Sequence, residues 1–224
     1  MDIGMKLNKC FMTGCDSVTE WQLPWFIDNY NKHCNVPLVI CNFGMTEHML
    51  DSISPFTVID CTDVQSRSTG WFGKPLAMSR TPAAKTCWLD TDCQVMQDPE
   101  GLFDYIRPNK LLMAVDRPWS DNPSRNQWGK WHNSGVVAFE GRPSLLTEWY
   151  HQCKIANQRG DQETLYWMMG GDELRRITFI EDLPAKYNVL RLDIGKPYCP
   201  AKPVIMHWTG QKGNDVIRKQ LRNM

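Results

Sequence analysis

Asp90, Thr91 and Asp92 close an apolar run, Cys87-Trp88-Leu89, near the middle of a chain of 224 residues. Carboxylates two residues apart fall on one side of an extended backbone, so both can face one point. There they repel each other unless a cation stands between them. The chemistry they suggest is a divalent metal site at the end of a buried strand. Asp-Thr-Asp is also good turn and N-cap chemistry, so the pair needs support from elsewhere. His207 offers it: it ends the apolar run Val204-Ile205-Met206 and is followed by Gly210, Lys212 and Gly213. Imidazole suits manganese better than magnesium, which prefers oxygen throughout. The two glycines let backbone approach a phosphate, and Lys212 supplies positive charge. A histidine at a strand end is often a packing or capping residue; beside an Asp-x-Asp the ligand role is favoured.

These residues need elements to bring them together. Lys9–Thr13, Pro37–Cys41, Phe56–Asp60, Lys85–Leu89, Leu111–Val115 and Val136–Phe139 read as short, nearly continuous apolar strands. Between them the spacing predicts helices. Ser17 and Glu20 stand in capping-box spacing before Leu23, Phe26, Ile27 and Tyr30, with Pro24 tolerated only in a first turn. Thr46 is expected to cap a helix to Ser52, and Trp71–Ser79 reads as helical. Asp98-Pro99 opens another helix, and further helices start at Pro143 and near Asp161, the latter closed by Gly170-Gly171. Ile177–Ile180 and Val189–Leu192 are expected as strands around a Leu183-Pro184 turn, and Asn214 as the cap of a C-terminal helix.

This rhythm predicts an α/β fold: one domain over 1–224, with a mostly parallel central sheet and helices on both faces. Ligands of such sheets bind beyond the carboxyl ends of the strands, where Asp90, Asp92 and the Thr13–Asp16 turn all fall. About 9–115 would form a nucleotide-binding half and 116–212 an acceptor-binding half, followed by the helix over 214–224. Residues 116–131 read as a long irregular segment holding Trp119, Trp128 and Trp131 with Arg117, Asp121 and Arg125. Loops of that length are usually functional or disordered, and three tryptophans argue against disorder. Its tryptophans could stack on a sugar ring as an acceptor platform, or simply pack beneath the loop.

The bulk numbers are those of an ordinary globular protein. Basic and acidic residues balance at 25 each, which argues against nucleic acid as a partner. No apolar run approaches the ~18 residues of a membrane helix, and Met1–Gly4 lacks a signal-peptide pattern. Nine scattered cysteines without C-x-x-C spacing read as reduced core residues of a cytoplasmic protein.

Five motifs in order carry a resemblance: Trp88-Leu89-Asp90-Thr91-Asp92, Asn133-Ser134-Gly135, Asp161-Gln162, Leu183-Pro184-Ala185-Lys186-Tyr187-Asn188, and His207-x-x-Gly210-x-Lys212. From Cys10 to Lys212 the chain resembles GT-A glycosyltransferases, nearest the retaining glycogenin-like and lipopolysaccharide galactosyltransferases of family 8. The resemblance implies a hexosyltransferase that moves glucose or galactose from a UDP-sugar to an acceptor hydroxyl, with retention of configuration. It implies a manganese ion, with magnesium as the alternative, on Asp90, Asp92 and His207. Thr13, Cys15 and Asp16 would meet the uridine, with Thr91 beside them, and Gly210 and Lys212 the diphosphate. Lys74 would lie near the donor, and Asn133, Asp161 and Gln162 around the transferred sugar. Two departures stand out. The family commonly ends His-x-x-Gly-x-x-Lys-Pro-Trp where this chain has Gln211-Lys212-Gly213-Asn214, and Lys74 stands where many members have arginine.

No enzymic nucleophile is evident: Gln162 is weak, and Asp161 could equally hold sugar hydroxyls or cap its helix. A same-face reaction needs none. Three other functions compete. A haloacid-dehalogenase-like phosphatase expects Thr or Val where Gln94 stands, and its motif near the N-terminus. A nucleotidyltransferase expects a basic glycine-rich loop where Thr13-Gly14-Cys15-Asp16 is acidic. The third is a module that binds nucleotide sugar or carbohydrate without turnover.

Overall fold

The computed structural model describes residues 7–64, 70–155 and 157–224. The first half runs β1 (Leu7–Cys15), α1 (Leu23–His33), β2 (Leu38–Asn42), α2 (Glu47–Ser52), β3 (Thr57–Asp60), α3 (Lys74–Ser79), β4 (Ala83–Leu89), β5 (Cys93–Val95) and β6 (Leu111–Val115). Then follow α4 (Arg117–Ser120), β7 (His132–Glu140), α5 (Ser144–Ile155), α6 (Asp161–Met169), α7 (Glu173–Phe179), β8 (Ile180–Asp182), β9 (Val189–Leu190), β10 (Ile205–His207) and α8 (Gly210–Leu221). The reading of Met1–Gly4 lies outside the described residues.

The main sheet has the order β3-β2-β1-β4-β7-β6-β8. β3, β2, β1 and β4 are parallel, β7 is antiparallel to both its neighbours, and β8 is parallel to β6. Parallel neighbours need a long crossover, usually a helix, and the first strands have one. Only the loop with the single turn α4 joins β6 to β7, and that pair is antiparallel. A small second sheet, β5-β10-β9, sets β10 antiparallel to β5 and parallel to β9.

Both faces of the main sheet are covered, which is why its strands are apolar on both sides. Alternation along β1 sends Phe11 and Cys15 to a core with Phe26 and Tyr30 of α1 and Ile217 of α8. Cys10 and Met12 enter the opposite core with Ala77 and Met78 of α3 and Trp149 of α5. Burying one such large apolar side chain contributes roughly 1.5–3 kcal/mol relative to leaving it exposed.

Several expectations need correction. The Ser17–Glu20 capping box does not form, because Asp16 accepts from Val18 N and Thr19 N first. Glu20 reaches across to Thr46 instead, while Thr46 caps α2 as expected and Pro24 sits in the first turn of α1. The helix expected after Asp98-Pro99 is a 3-10 turn, Glu100–Tyr105. Ile177–Phe179 is helix rather than strand, since Asp172 caps α7 and the helix runs on to Phe179. Val189–Leu192 is two residues of strand followed by a 3-10 turn. The last helix begins at Gly210, four residues before Asn214. Residues 116–131 are not wholly irregular, because Asp116 caps α4 within them. No helix among the described residues is long and apolar enough to cross a membrane. All nine cysteines are free, and eight are buried.

Candidate active site

β4 delivers Asp90 and Asp92 just past its carboxyl end, and the second sheet brings His207 to them. Asp90 N donates to Gly135 O at 2.8 Å, and Cys93 N to Asp90 O at 2.9 Å, folding the motif into a tight turn. His207 is the register partner of Cys93, and Trp208 N donates to Asp92 O at 3.0 Å. This zipper leaves His207 Nε2 3.0 Å from Asp92 Oδ1. The imidazole is buried, and its other nitrogen, Nδ1, lies 3.1 Å from both Asn133 Oδ1 and Asn188 Oδ1. The Asn133 amide is oriented by its neighbours: Oδ1 accepts from Gly135 N and Asn188 Nδ2, while Nδ2 donates to Gln162 Oε1 and Asp116 Oδ2. Amide oxygens only accept, so Nδ1 carries a proton. Gly135 makes room for the ring, since a Cβ there would stand 2.1 Å from His207 Cε1.

This set fits a divalent cation. With Nδ1 protonated, the Nε2 lone pair faces a carboxylate oxygen, which is how a ligating histidine is held by its outer partners. Burial pulls the His207 pKa down, but the charges of Asp92 and then Asp90 outweigh it and hold the net value above the ordinary one. Asp92, Cys93 and His207 form the cluster of potential ligands among the described residues. The Cys93 thiol is pushed well up by burial and then by Asp92 and Asp90, which keeps it protonated and disfavours it as a ligand.

Asp90 is drawn elsewhere. Its Oδ1 accepts from Trp88 Nε1 at 2.6 Å and from Lys74 Nζ at 3.1 Å. Lys74 is fully buried, and its ammonium also meets Asp161 Oδ2 at 2.9 Å, Ser134 O at 2.9 Å and Ser134 Oγ at 3.2 Å. Burial works to lower the Lys74 pKa; the charges of Asp161 and Asp90 overcome it and raise the net value. The charge of Lys74, expected near the donor, is spent on protein carboxylates. The expected pair Asp161 and Gln162 opens α6. Gln162 is fully engaged: Oε1 accepts from Asn133 Nδ2 and Ser134 N, and Nε2 donates to Asp116 Oδ2 at 2.9 Å.

A cavity of about 340 Å³ lies between the β1 turn, the Asp90–Asp92 loop and α8. Gly14, Cys15 and Asp16 line it, as do Lys74, Asp90, Thr91, Asp92 and Gly210. Thr13 does not; it is completely buried. Cys15 is nearly so, its thiol pushed up to about 12 by burial and then by Glu20 and Asp16. Lys212 is exposed and absent from the lining, on a different face of α8 from Asn214. The tryptophans divide. Trp131 is buried and stacked on Tyr166 at 3.7 Å, which makes it a support for the loop rather than an exposed platform. Trp119 lies under the Arg125 guanidinium at 3.9 Å. Trp128 is exposed, edge-to-face with Trp167 at 4.0 Å. Sequence reasoning missed Asp116, Asn188, Gln22 and Asn214. Only Asn188 carried a signal, as the last residue of a quoted motif. A larger cavity of about 620 Å³, against β3 and Arg80, contains none of the expected site residues.

No protein-family model matches the chain, and no curated protein does. Its fold is matched among solved structures. The galactosyltransferase LgtC, solved with donor and acceptor sugar analogues, is 13% identical, with a TM-score of 0.67 over 96% of each chain. GlyE from Streptococcus pneumoniae is 17% identical, with a TM-score of 0.65 over 92% of this chain and 55% of that one. Mouse xyloside xylosyltransferase 1 is 13% identical, with a TM-score of 0.57 over 90% of this chain and 96% of that one. The main sheet that ends at Asp90 and Asp92, with the smaller sheet that brings His207 to them, has the GT-A fold of these glycosyltransferases.

Proposed function

We propose that the chain is a metal-dependent glycosyltransferase that moves a hexose, glucose or galactose, from a UDP-sugar to a saccharide hydroxyl, with retention of configuration. The observation that carries this is the Asp92–His207 pair at 3.0 Å, with the ring proton assigned to Nδ1, beside a cavity lined by the β1 turn and the Asp-x-Asp loop. A divalent cation there, manganese or magnesium, would neutralise charge developing on the leaving diphosphate. Asp92 and His207 would hold it, with Asp90 beside them. Asn133 and Asn188 fix the imidazole, and Gly14, Cys15 and Asp16 border the nucleotide. Asp161 is paired with Lys74 and both ends of Gln162 are bonded, so these residues suit positioning of the donor sugar better than attack on it. A same-face transfer, in which the leaving phosphate assists the acceptor hydroxyl, requires no enzymic nucleophile and gives retention. The exposed Trp128 and the partly exposed Trp119 are the rings of the loop open to an acceptor. Nine unpaired thiols suit a reducing compartment such as the cytoplasm.

The test is release of UDP from a panel of nucleotide sugars, with and without manganese and candidate acceptors. Metal-dependent turnover of a UDP-hexose that falls about 10²–10³-fold in Asp92→Asn supports the reading. No binding or turnover of any donor, or full activity in Asp92→Asn, sinks it.

A further inference from the structure

Three successive residues of α8 stand differently toward the donor cavity, and one of them lines it. Lys212 is exposed and makes no ion pair among the described residues. Gly213 is closed against backbone: a Cβ there would stand 1.8 Å from Trp208 O, so no side chain fits. Asn214 is half-buried and lines the cavity.

The Asn214 amide is oriented by a relay that begins in the Asp-x-Asp loop. The Thr91 hydroxyl donates to Gln22 Oε1 at 2.6 Å, and Gln22 Nε2 donates to Asn214 Oδ1 at 2.9 Å. That spends the oxygen of Asn214 and leaves its NH₂ without a partner among the described residues. Each other nitrogen or hydroxyl group on the lining side chains already donates to a partner, Gln22 through one of its two N–H groups. Thr19 donates to Asp16, Trp88 to Asp90, Thr91 to Gln22 and Gln22 to Asn214; Lys74 is held by Asp90, Asp161 and Ser134. An anion entering this cavity needs donors, and an amide offers two N–H groups and no charge.

We propose that Asn214, oriented by Gln22 and Thr91, donates a hydrogen bond to the diphosphate of the nucleotide donor, the contact that the sequence motif assigns to Lys212. This rests on the donor-site reading above. The relay also ties the diphosphate contact to the metal loop, so the Asp-x-Asp motif and α8 are positioned together.

The experiment is calorimetric titration of the full chain with UDP in the presence of manganese. Asn214→Ala is expected to weaken UDP by about tenfold or more, as loss of a hydrogen bond to a charged group does. Asn214→Asp keeps an oxygen for Gln22, so its thermal midpoint should match the wild type. It turns a donor into a negative charge, so it should lose UDP more severely than the alanine variant. Lys212→Ala should stay within about twofold. Wild-type affinity in Asn214→Asp, or a larger loss in Lys212→Ala than in Asn214→Ala, overturns the assignment. Failure of the wild-type chain to bind UDP at all overturns the donor-site reading itself, and the assignment with it.

Discussion

Gly135 and Lys74 show how much of this site is decided by single side chains, or by the lack of one. The His207 ring occupies the space where a Cβ on residue 135 would be, at 2.1 Å. Gly135→Ala must therefore push the imidazole off Asn133 and Asn188 or bend β7. We expect it to lower manganese affinity at least as much as loss of an outer partner does, about 10–100-fold. Direct metal titration checks this, and wild-type affinity would show that the ring relocates freely. Lys74 poses the opposite problem, a buried cation between Asp90 and Asp161. Breaking a buried pair by removing one partner typically costs about 3–5 kcal/mol, because the other charge stays behind. Lys74→Met should lose stability of that order in urea unfolding, and Lys74→Arg, which keeps the charge, should lose less. Equal losses in both would mean that shape, not charge, is what the site requires.

Elements were legible where their pattern was local. The apolar strands β1, β2, β4 and β6 and the Thr46 cap follow from neighbouring residues alone. β5 did not, because its three residues carry no periodicity and exist by pairing with β10; β9 was expected within Val189–Leu192, but only its first two residues pair with β10. The start of α8 was misread because Asn214, a good capping residue by type, uses its amide oxygen on Gln22 instead. Within the site, Asp90, Asp92 and His207 were legible as types at strand ends and Gly135 only as part of a quoted motif, while Asp116 and Gln22 became visible only through tertiary partners. The edge strand β8 is another tertiary product. Asp182 at its end bonds His132 at 2.8 Å and Lys130 at 2.7 Å. The His132 bond, ahead of opposing burial and with help from Lys130, holds the Asp182 carboxyl well below the usual carboxylate range. A depressed carboxyl stabilises the fold fully above its unfolded pKa near 4 and loses that contribution as pH falls toward the folded value. Asp182 is partly exposed, so the gain is screened and modest. Asp182→Asn should cost about 1 kcal/mol in chemical denaturation at pH 7. The gap to wild type should narrow as pH falls from about 4 toward 2. A gap that stays constant with pH would assign the effect to packing.

At the scale of the whole molecule, the sheet covered on both faces controls chemistry far from the candidate site, through what it seals. Thiol reactivity needs both a thiolate and a path to it. Burial raises the pKa of Cys10, Cys34, Cys87 and Cys93, and lifts Cys15 and Cys153 to about 12. Cys61 runs the other way, lowered first by its hydrogen bond with Cys41, yet it is 1% exposed and sealed between β3 and the helices beyond. Access therefore decides its case, not acidity. Cys199, in the loop before β10, is the one thiol with partial exposure. Titration of the native chain with an aromatic disulfide reagent at neutral pH should give one fast-reacting thiol, rising to nine on unfolding. Cys199→Ser should abolish the fast phase without moving the unfolding midpoint. A fast phase that survives in that variant would locate an opening of the sheet near Cys61, where the thiolate is most readily formed.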